Sequence, residues 1–234
     1  MMYGPPGYML LAVVMLVVGM IVQGRLKSKF RHYSEMPLGA GLSGKQVAER
    51  MLSENNIHDV QVISTPGFLS DHYNPENKTI NLSPDVYDGR SVAAAAVAAH
   101  ETGHAVQHAV AYGPLKMRSA LVPVVQISTT LSQWVLLAGI GMLGFGGGNQ
   151  TVLLIGILMF AASTIFSLVT LPVEYDASAR ALKWMESSGL ARGREHEGAS
   201  DALKWAARTY VVAAISSIAT LLYYVMIFLN RSRD

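Results

Sequence analysis

The chain has 234 residues, of which 51% are hydrophobic and 15% are charged, so it is richer in apolar residues than a soluble domain of this length normally is. A net charge of +2 is too small to indicate a nucleic-acid partner, and we expect none. The absence of cysteine excludes disulfides and thiolate metal ligands, and it fits a reducing compartment.

The first predicted element is an apolar helix at 8–23, close to the ~20 residues that cross a bilayer. Four basic residues follow this run: Arg25, Lys27, Lys29 and Arg31. A secretory signal peptide instead places its positive charge before the apolar region. We therefore predict a retained transmembrane anchor.

A small α/β region is predicted after the anchor. Apolar residues on one face indicate an amphipathic helix at 43–55, and strands are predicted at 60–63 and 78–82. These strands would make a small two-stranded sheet. The strand before the next helix could form the rim of a cleft and pair with an extended peptide substrate. The alternative is an ordinary hairpin without a substrate role.

The most informative motif is H-E-x-x-H at residues 100–104. The preceding alanine run and the N-cap residue Ser91 predict a helix. His100 and His104 then lie on one face, where two imidazoles can bind one Zn²⁺ and Glu101 can accept a proton from zinc-activated water. The alternative is a helix with two surface histidines, although unpaired imidazoles are costly in so apolar a helix.

A catalytic zinc site needs a third protein ligand, and we choose Glu174. Pro172 suits the first turn of a helix, so Glu174 would lie just inside a new helix. The alternative is that Glu174 and Asp176 only stabilise the N-terminus of that helix through its dipole.

Three further apolar segments are long enough to span a bilayer, at 121–143, 151–171 and 211–229. A glycine-rich, uncharged turn at 144–150 joins the first two of them into a hairpin. Because two spans separate His104 from Glu174, both residues are predicted on the same side of the membrane.

Lysine and arginine are concentrated on the side that holds residues 24–120 and 172–208, which predicts a cytoplasmic active site and an N-terminus outside. Only Arg231 and Arg233 oppose this orientation. Five regions are predicted: an anchor at 1–24, a catalytic region at 25–118, a transmembrane hairpin at 119–171, a helical region with the third ligand at 172–208, and a C-terminal transmembrane helix and tail at 209–234.

Peptide hydrolysis also needs a donor that stabilises the developing oxyanion. Four residues are candidates: His72, His108, Tyr112 and Tyr175. His108 lies one helical turn after His104 and could contact the site, or it could be a supporting or surface histidine.

These motifs resemble the neutral zinc metallopeptidases of the bacterial YugP type, a membrane-bound family, over nearly the whole chain. The resemblance rests on the anchor and on the residues at 72–75, 80–84, 100–108, 171–178 and 198–210. It implies zinc ligands at His100, His104 and Glu174, one Zn²⁺ per chain, and a catalytic Glu101.

The chain is more distantly similar to the HtpX-type membrane peptidases. Their pattern places an aspartate four residues after the downstream glutamate, where this chain has Ser178. Ser178 could replace that aspartate as a hydrogen-bond partner of a ligand. Asp176 would point away from the metal-facing side of a regular helix.

The sequence therefore predicts a mainly α, four-span membrane protein with a zincin-like helix. The predicted function is a zinc metalloprotease that acts on membrane or juxtamembrane protein substrates. Its other expected partners are the lipid bilayer and either a membrane protein or a second copy. Glycines such as Gly139 and Gly156 allow helices to pack closely, within one chain by default.

Two alternatives remain open. One is a site-2-type intramembrane metalloprotease, although the Leu-Asp-Gly motif of those enzymes is missing from the chain. The other is a non-catalytic scaffold or adaptor with a structural zinc, which would have no use for a base at Glu101.

Overall fold

The computed structural model describes residues 5–67, 70–141 and 148–231. These residues form seven helices and one three-stranded sheet, so the mainly α fold is confirmed. In chain order the elements are α1 (Pro5–Ser34), α2 (Gly44–Glu54), β1 (Gln61–Ser64), β2 (His72–Asn74), β3 (Thr79–Leu82), α3 (Pro84–Tyr87), α4 (Val92–Ala109), α5 (Gly113–Ile140), α6 (Gln150–Ser187) and α7 (Arg194–Arg231).

Four of the described helices are long and apolar enough to cross a membrane, as predicted: α1, α5, α6 and α7. The chain forms two compact units. The first unit comprises the described parts of 1–21, 117–171 and 209–234, and the second comprises those of 22–116 and 172–208. Residues 142–147, which include most of the predicted glycine-rich turn, lie outside the described residues.

In the first unit, α5 and α6 approach closely at a glycine. A Cβ built on Gly139 would lie 2.5 Å from the backbone nitrogen of Leu153, so only glycine fits there without a shift. Leu136, Leu153 and Ile157 form a buried cluster beside this contact. Gly139 therefore lets α5 and α6 of the same chain pack closely, as predicted.

The helix that carries Glu174 differs from the prediction. Pro172 does not begin a new helix, because α6 runs without interruption from Gln150 to Ser187 with Pro172 inside it. Proline removes one backbone hydrogen bond, but helices of membrane proteins tolerate this loss where the surrounding structure compensates. Glu174 therefore lies mid-helix, and the alternative in which it stabilises a helix N-terminus is wrong.

The sheet also differs from the predicted pair of strands. Residues His72–Asn74 form an additional strand, and the strand order is β1-β3-β2. β1 is parallel to β3, whereas β2 and β3 form the antiparallel pair. The strand before the motif helix, β3, is thus central with both edges occupied, and it cannot pair with a substrate as predicted. The edge strands are β1 and β2.

The core of the second unit surrounds α4, which packs on α2, α3 and the sheet. Most of α4 is buried, including its alanine run, because small side chains let neighbouring elements approach closely. Ser91 caps the helix as predicted, with its hydroxyl accepting a hydrogen bond from the backbone nitrogen of Ala94 at 3.1 Å. This buried helix carries the H-E-x-x-H motif.

Candidate metal centre

The two motif histidines and Glu174 come together in the second unit. α4 presents the imidazoles of His100 and His104 side by side, with ring centroids 4.8 Å apart. Glu174 Oε2 from α6 lies 3.3 Å from His100 Nε2 and 3.6 Å from His104 Nε2. The candidate ligand atoms of the three residues all lie within 4.8 Å of one another. The proximity that the hairpin topology required is therefore present.

A glycine in the motif lets the two ligand-bearing helices meet. A Cβ built on Gly103 would lie 2.6 Å from the backbone oxygen of Ala177 in α6. No real side chain tolerates such a contact with backbone, so glycine at this position sets how closely α4 and α6 approach. Ala177 follows Glu174 by one helical turn, which places this contact beside the ligand group.

The site is largely shielded from solvent, with Glu174 2% exposed and His104 7% exposed. Burial lowers the pKa of the His104 imidazole, but hydrogen bonding to Glu174 and the negative charge of Glu101 outweigh it, so the net shift is upward. The pocket thus favours a positive charge between its carboxylates, which a metal cation would supply.

Glu101 lies in the same helix but outside this ligand group. Its Oε2 accepts a hydrogen bond from the backbone nitrogen of Tyr73 at 3.0 Å, and Tyr73 belongs to the edge strand β2. Sequence reasoning did not find this contact, because β2 was not predicted. The carboxylate is buried but stands next to a sheet edge, where an extended chain could reach it.

A second carboxylate near Glu101 was also missed. Asp71 accepts hydrogen bonds from the backbone nitrogen of Ser83 at 2.7 Å and from its hydroxyl at 3.0 Å. Burial raises the pKa of Asp71 against the effect of these bonds, and the charge of Glu101 raises it further. No local signal in the sequence pointed to Asp71, because β2, which follows it, was not predicted.

Each candidate histidine ligand has a partner at its second ring nitrogen. Ser178 Oγ lies 3.1 Å from His100 Nδ1, so the hydrogen-bond contact predicted for Ser178 with a ligand is present. Gln107 Oε1 lies 3.0 Å from His104 Nδ1. Gln107 was not singled out from the sequence, although its spacing of three residues from His104 puts both on one helical face.

Asp176 faces away from the ligand group, as its helical position predicts. Its Oδ2 accepts hydrogen bonds from Gln107 Nε2 at 2.8 Å and from Arg180 Nε at 2.6 Å. Asp176 therefore reaches His104 only through the amide of Gln107.

The four oxyanion candidates lie in different surroundings. His72 is exposed, with Nδ1 2.8 Å from the backbone oxygen of Ser70. His108 is exposed, with Nδ1 2.7 Å from the Tyr73 hydroxyl, and both line a cavity of about 220 Å³. Tyr175 is half exposed. Tyr112 stacks near Arg180, whose guanidinium carbon lies 5.8 Å from the ring centroid.

The donor set suits zinc. Two imidazoles and one carboxylate are ligands that Zn²⁺ accepts in catalytic sites, where three protein ligands leave one position open. Ser178 and Gln107 occupy the outer ring nitrogens, which leaves both Nε2 atoms directed at Glu174. His100, His104 and Glu174 are thus a group that could hold a metal ion.

The family model described as "Putative neutral zinc metallopeptidase" matches residues 8–229, nearly the whole chain. The chain belongs to this family. It is 39% identical over 223 residues, covering 95% of this chain and 97% of the relative, to the "Putative membrane protease YugP" of Bacillus subtilis (strain 168). No solved structure matches the chain significantly. The resemblance drawn from the sequence motifs is confirmed, and membership in a zinc peptidase family agrees with the donor set.

Proposed function

We propose that the protein is a membrane-bound endopeptidase that hydrolyses peptide bonds at a zinc site formed by His100, His104 and Glu174. The observation that carries the proposal is the convergence of these three donors, within 4.8 Å of one another, beside the carboxylate of Glu101. Membership in the zinc metallopeptidase family supports the same function.

When bound by these residues, zinc supplies Lewis acidity toward water and toward the peptide carbonyl. Glu101 accepts the proton of the attacking water at its carboxylate and passes it to the nitrogen of the departing amine. One water molecule is thereby added across the broken C–N bond. His100, His104 and Glu174 do not exchange protons in this scheme.

The contact between Glu101 and β2 supports this role. The Tyr73 N–H holds one oxygen of the Glu101 carboxylate at 3.0 Å, which leaves the second oxygen to accept a proton. Asp71 adds a second carboxylate close to Glu101. Glu101 is therefore oriented by a backbone group, with a second acidic side chain beside it.

We further propose that an extended substrate lies along the edge of β2. This edge is next to Glu101, whose carboxylate accepts the hydrogen bond of the Tyr73 N–H, so a peptide added there would pair with the other backbone groups of the edge and bring its backbone toward the ligand group. Strand addition recognises backbone rather than particular side chains, which suits unfolded or loop segments of membrane and juxtamembrane proteins. The apolar helices of the first unit would keep such substrates close.

The test combines zinc content with hydrolysis of an unfolded model protein, measured on the full-length chain in detergent. We expect about one zinc per chain in the wild type and in Glu101→Gln, and loss of zinc in Glu174→Ala. Glu101→Gln should lower hydrolysis by roughly 10²–10⁴-fold because it removes the base. Zinc bound to a wild type that hydrolyses no substrate would instead favour the scaffold alternative, and hydrolysis unaffected by Glu101→Gln would contradict the role of Glu101 as the base.

The proposed orientation places the second unit in the cytoplasm, on the strength of its lysine and arginine residues. The natural chain has no cysteine, so single cysteines report sidedness without background. An impermeant maleimide should label Asn149→Cys in intact cells, and Ser53→Cys only after permeabilisation. The reverse pattern would put the site outside and contradict the proposal.

A further inference from the structure

We propose that Gln107 is a positioning residue that fixes the tautomer of His104 and joins the two helices that carry the candidate ligands. This inference rests on the zinc site proposed above. Gln107 is fully buried, and a buried amide needs partners for its oxygen and for both of its N–H groups. All three of these needs are met within the second unit.

The orientation of the amide follows from its neighbours. Gln107 Nε2 lies 2.8 Å from the backbone oxygen of Val173 and 2.8 Å from Asp176 Oδ2. Both partners are acceptors, since a carbonyl has no proton and the Asp176 carboxylate is paired with Arg180. A flipped amide would set three acceptors against one another, so the nitrogen must face α6.

The amide oxygen therefore faces His104 Nδ1 at 3.0 Å. An oxygen that can only accept requires a proton on that ring nitrogen, so in the neutral imidazole the free lone pair lies on His104 Nε2. Nε2 is the atom directed at Glu174, 3.6 Å away. A neutral imidazole in this tautomer is the form that binds a metal.

The two histidines are supported unequally. Ser178 Oγ near His100 Nδ1 can donate or accept, so it does not impose a tautomer. His104 is held by a series of hydrogen bonds that runs from Arg180 through Asp176 to Gln107, and in each bond the donor and the acceptor are fixed. These hydrogen bonds also connect α6 to α4, with Val173 and Asp176 on either side of Glu174. Gln107 thereby controls one ligand directly and the position of another through the backbone.

The test measures Zn²⁺ affinity by chelator competition on the full-length protein in detergent. Gln107→Met keeps the length and approximate volume of the side chain but removes every hydrogen bond. We expect its zinc affinity to fall roughly 10- to 100-fold, as for other residues that orient metal ligands. The matched control is Thr102→Val, in the same buried helix, which removes a hydrogen bond to Ala98 and should leave the affinity unchanged.

A rescue experiment separates polarity from packing. Gln107→Glu places acceptors against Val173 and Asp176 and should also weaken zinc binding. Adding Asp176→Asn supplies an amide that can donate to the new carboxylate, so the double variant should bind zinc more tightly than Gln107→Glu. The d–d absorption of bound Co²⁺ should change in Gln107→Met and coincide with the wild type in Thr102→Val. Thermal unfolding of the metal-free variants verifies that each is folded.

Two results would overturn the inference. The first is a zinc affinity of Gln107→Met within about threefold of the wild type, because the loss expected for an orienting residue is larger. The second is no gain in zinc affinity when Asp176→Asn is added to Gln107→Glu. If His104→Ala abolishes zinc binding while Gln107→Met does not, only the role of Gln107 fails. If the wild type binds no zinc, both the proposed function and the role of Gln107 fail.

Discussion

α1 and α4 are both apolar helices, yet they have opposite surroundings. In α1, large side chains such as Leu10 and Leu16 are 68% and 62% exposed, whereas in α4 Ala96 is 0% exposed. Large side chains offer apolar area to lipid, while alanine and glycine let protein elements close around a helix. Apolar composition alone therefore does not distinguish a helix with exposed apolar side chains from one covered by protein, whereas side-chain size does distinguish α1 from α4.

This difference bears on where the chemistry takes place. Among the described residues, α4 is not one of the helices long and apolar enough to span a membrane. It is covered by α2, α3 and the sheet of the second unit. The candidate ligands His100 and His104 thus lie on a helix covered by protein, which agrees with the proposed peptidase beside the membrane.

The sharpest expected contrast lies within α4, where burial ends after Gln107. His104 is buried against Glu174, and His108, one turn later, is exposed and contacts the Tyr73 hydroxyl. We expect His104→Ala to abolish stoichiometric zinc binding and His108→Ala to retain it, because only the first removes a donor from the group. Metal analysis after gel filtration checks this, and loss of zinc in both variants would place His108 in the ligand set.

The next effect compares a buried side chain of the core around α4 with an exposed side chain of α1. Leu82 in β3 is 0% exposed, so Leu82→Ala should lower the free energy of unfolding by about 2–5 kcal/mol through lost burial and a cavity. Leu16→Ala in α1 removes a side chain with little protein contact and should change it far less. Chemical denaturation in detergent compares the two. Equal effects would mean that α1 has protein neighbours comparable to those of β3.

A smaller effect is expected at the glycines. Gly103→Ala should destabilise the protein by about 1–3 kcal/mol, because its Cβ meets the backbone of Ala177 and must push α4 from α6. A Cβ on Gly24 in α1 meets no heavy atom within 4 Å in the described part of the chain. Gly24→Ala should therefore be neutral or stabilising by up to about 1 kcal/mol. Zinc affinity should fall only in Gly103→Ala, and a normal affinity there would show that the helix spacing does not matter.

The smallest effect is expected at the start of α4. Ser91→Ala removes the side-chain cap of the Ala94 nitrogen and should cost about 1 kcal/mol in the free energy of unfolding. Zinc affinity should stay unchanged, because Ser91 lies more than two turns before His100 and touches none of the donors. Thermal unfolding of the metal-free and zinc-loaded forms checks both statements. A cost above that of Gly103→Ala would contradict this order of effects.

Several elements could be predicted because their signals are local. The spacing of His100 and His104, the cap at Ser91 and the four apolar segments each depend on residues close together in the chain. The prediction of Glu174 as a ligand needed a topological argument as well, because an even number of intervening spans, here two, returns the chain to the same side of the membrane.

Other features could not be predicted because they depend on contacts between distant residues. β2 has three residues and no β-branched side chain, so its conformation comes from pairing with β3. The helix continues through Pro172 although proline locally favours a helix start. Gln107 is an ordinary helical residue until α6 supplies the acceptors that orient its amide.

The sequence by itself determined the family through the resemblance of its motifs, and the apolar helices through their composition. It also identified His100 and His104 as candidate zinc ligands, because their spacing places both side chains on one helical face without reference to the rest of the chain. Only the tertiary structure decided which edge strand lies at Glu101, how His104 is oriented and how closely α4 and α6 approach. These features depend on hydrogen-bond polarity and steric contact between elements far apart in sequence, and such contacts exist only once the chain has folded.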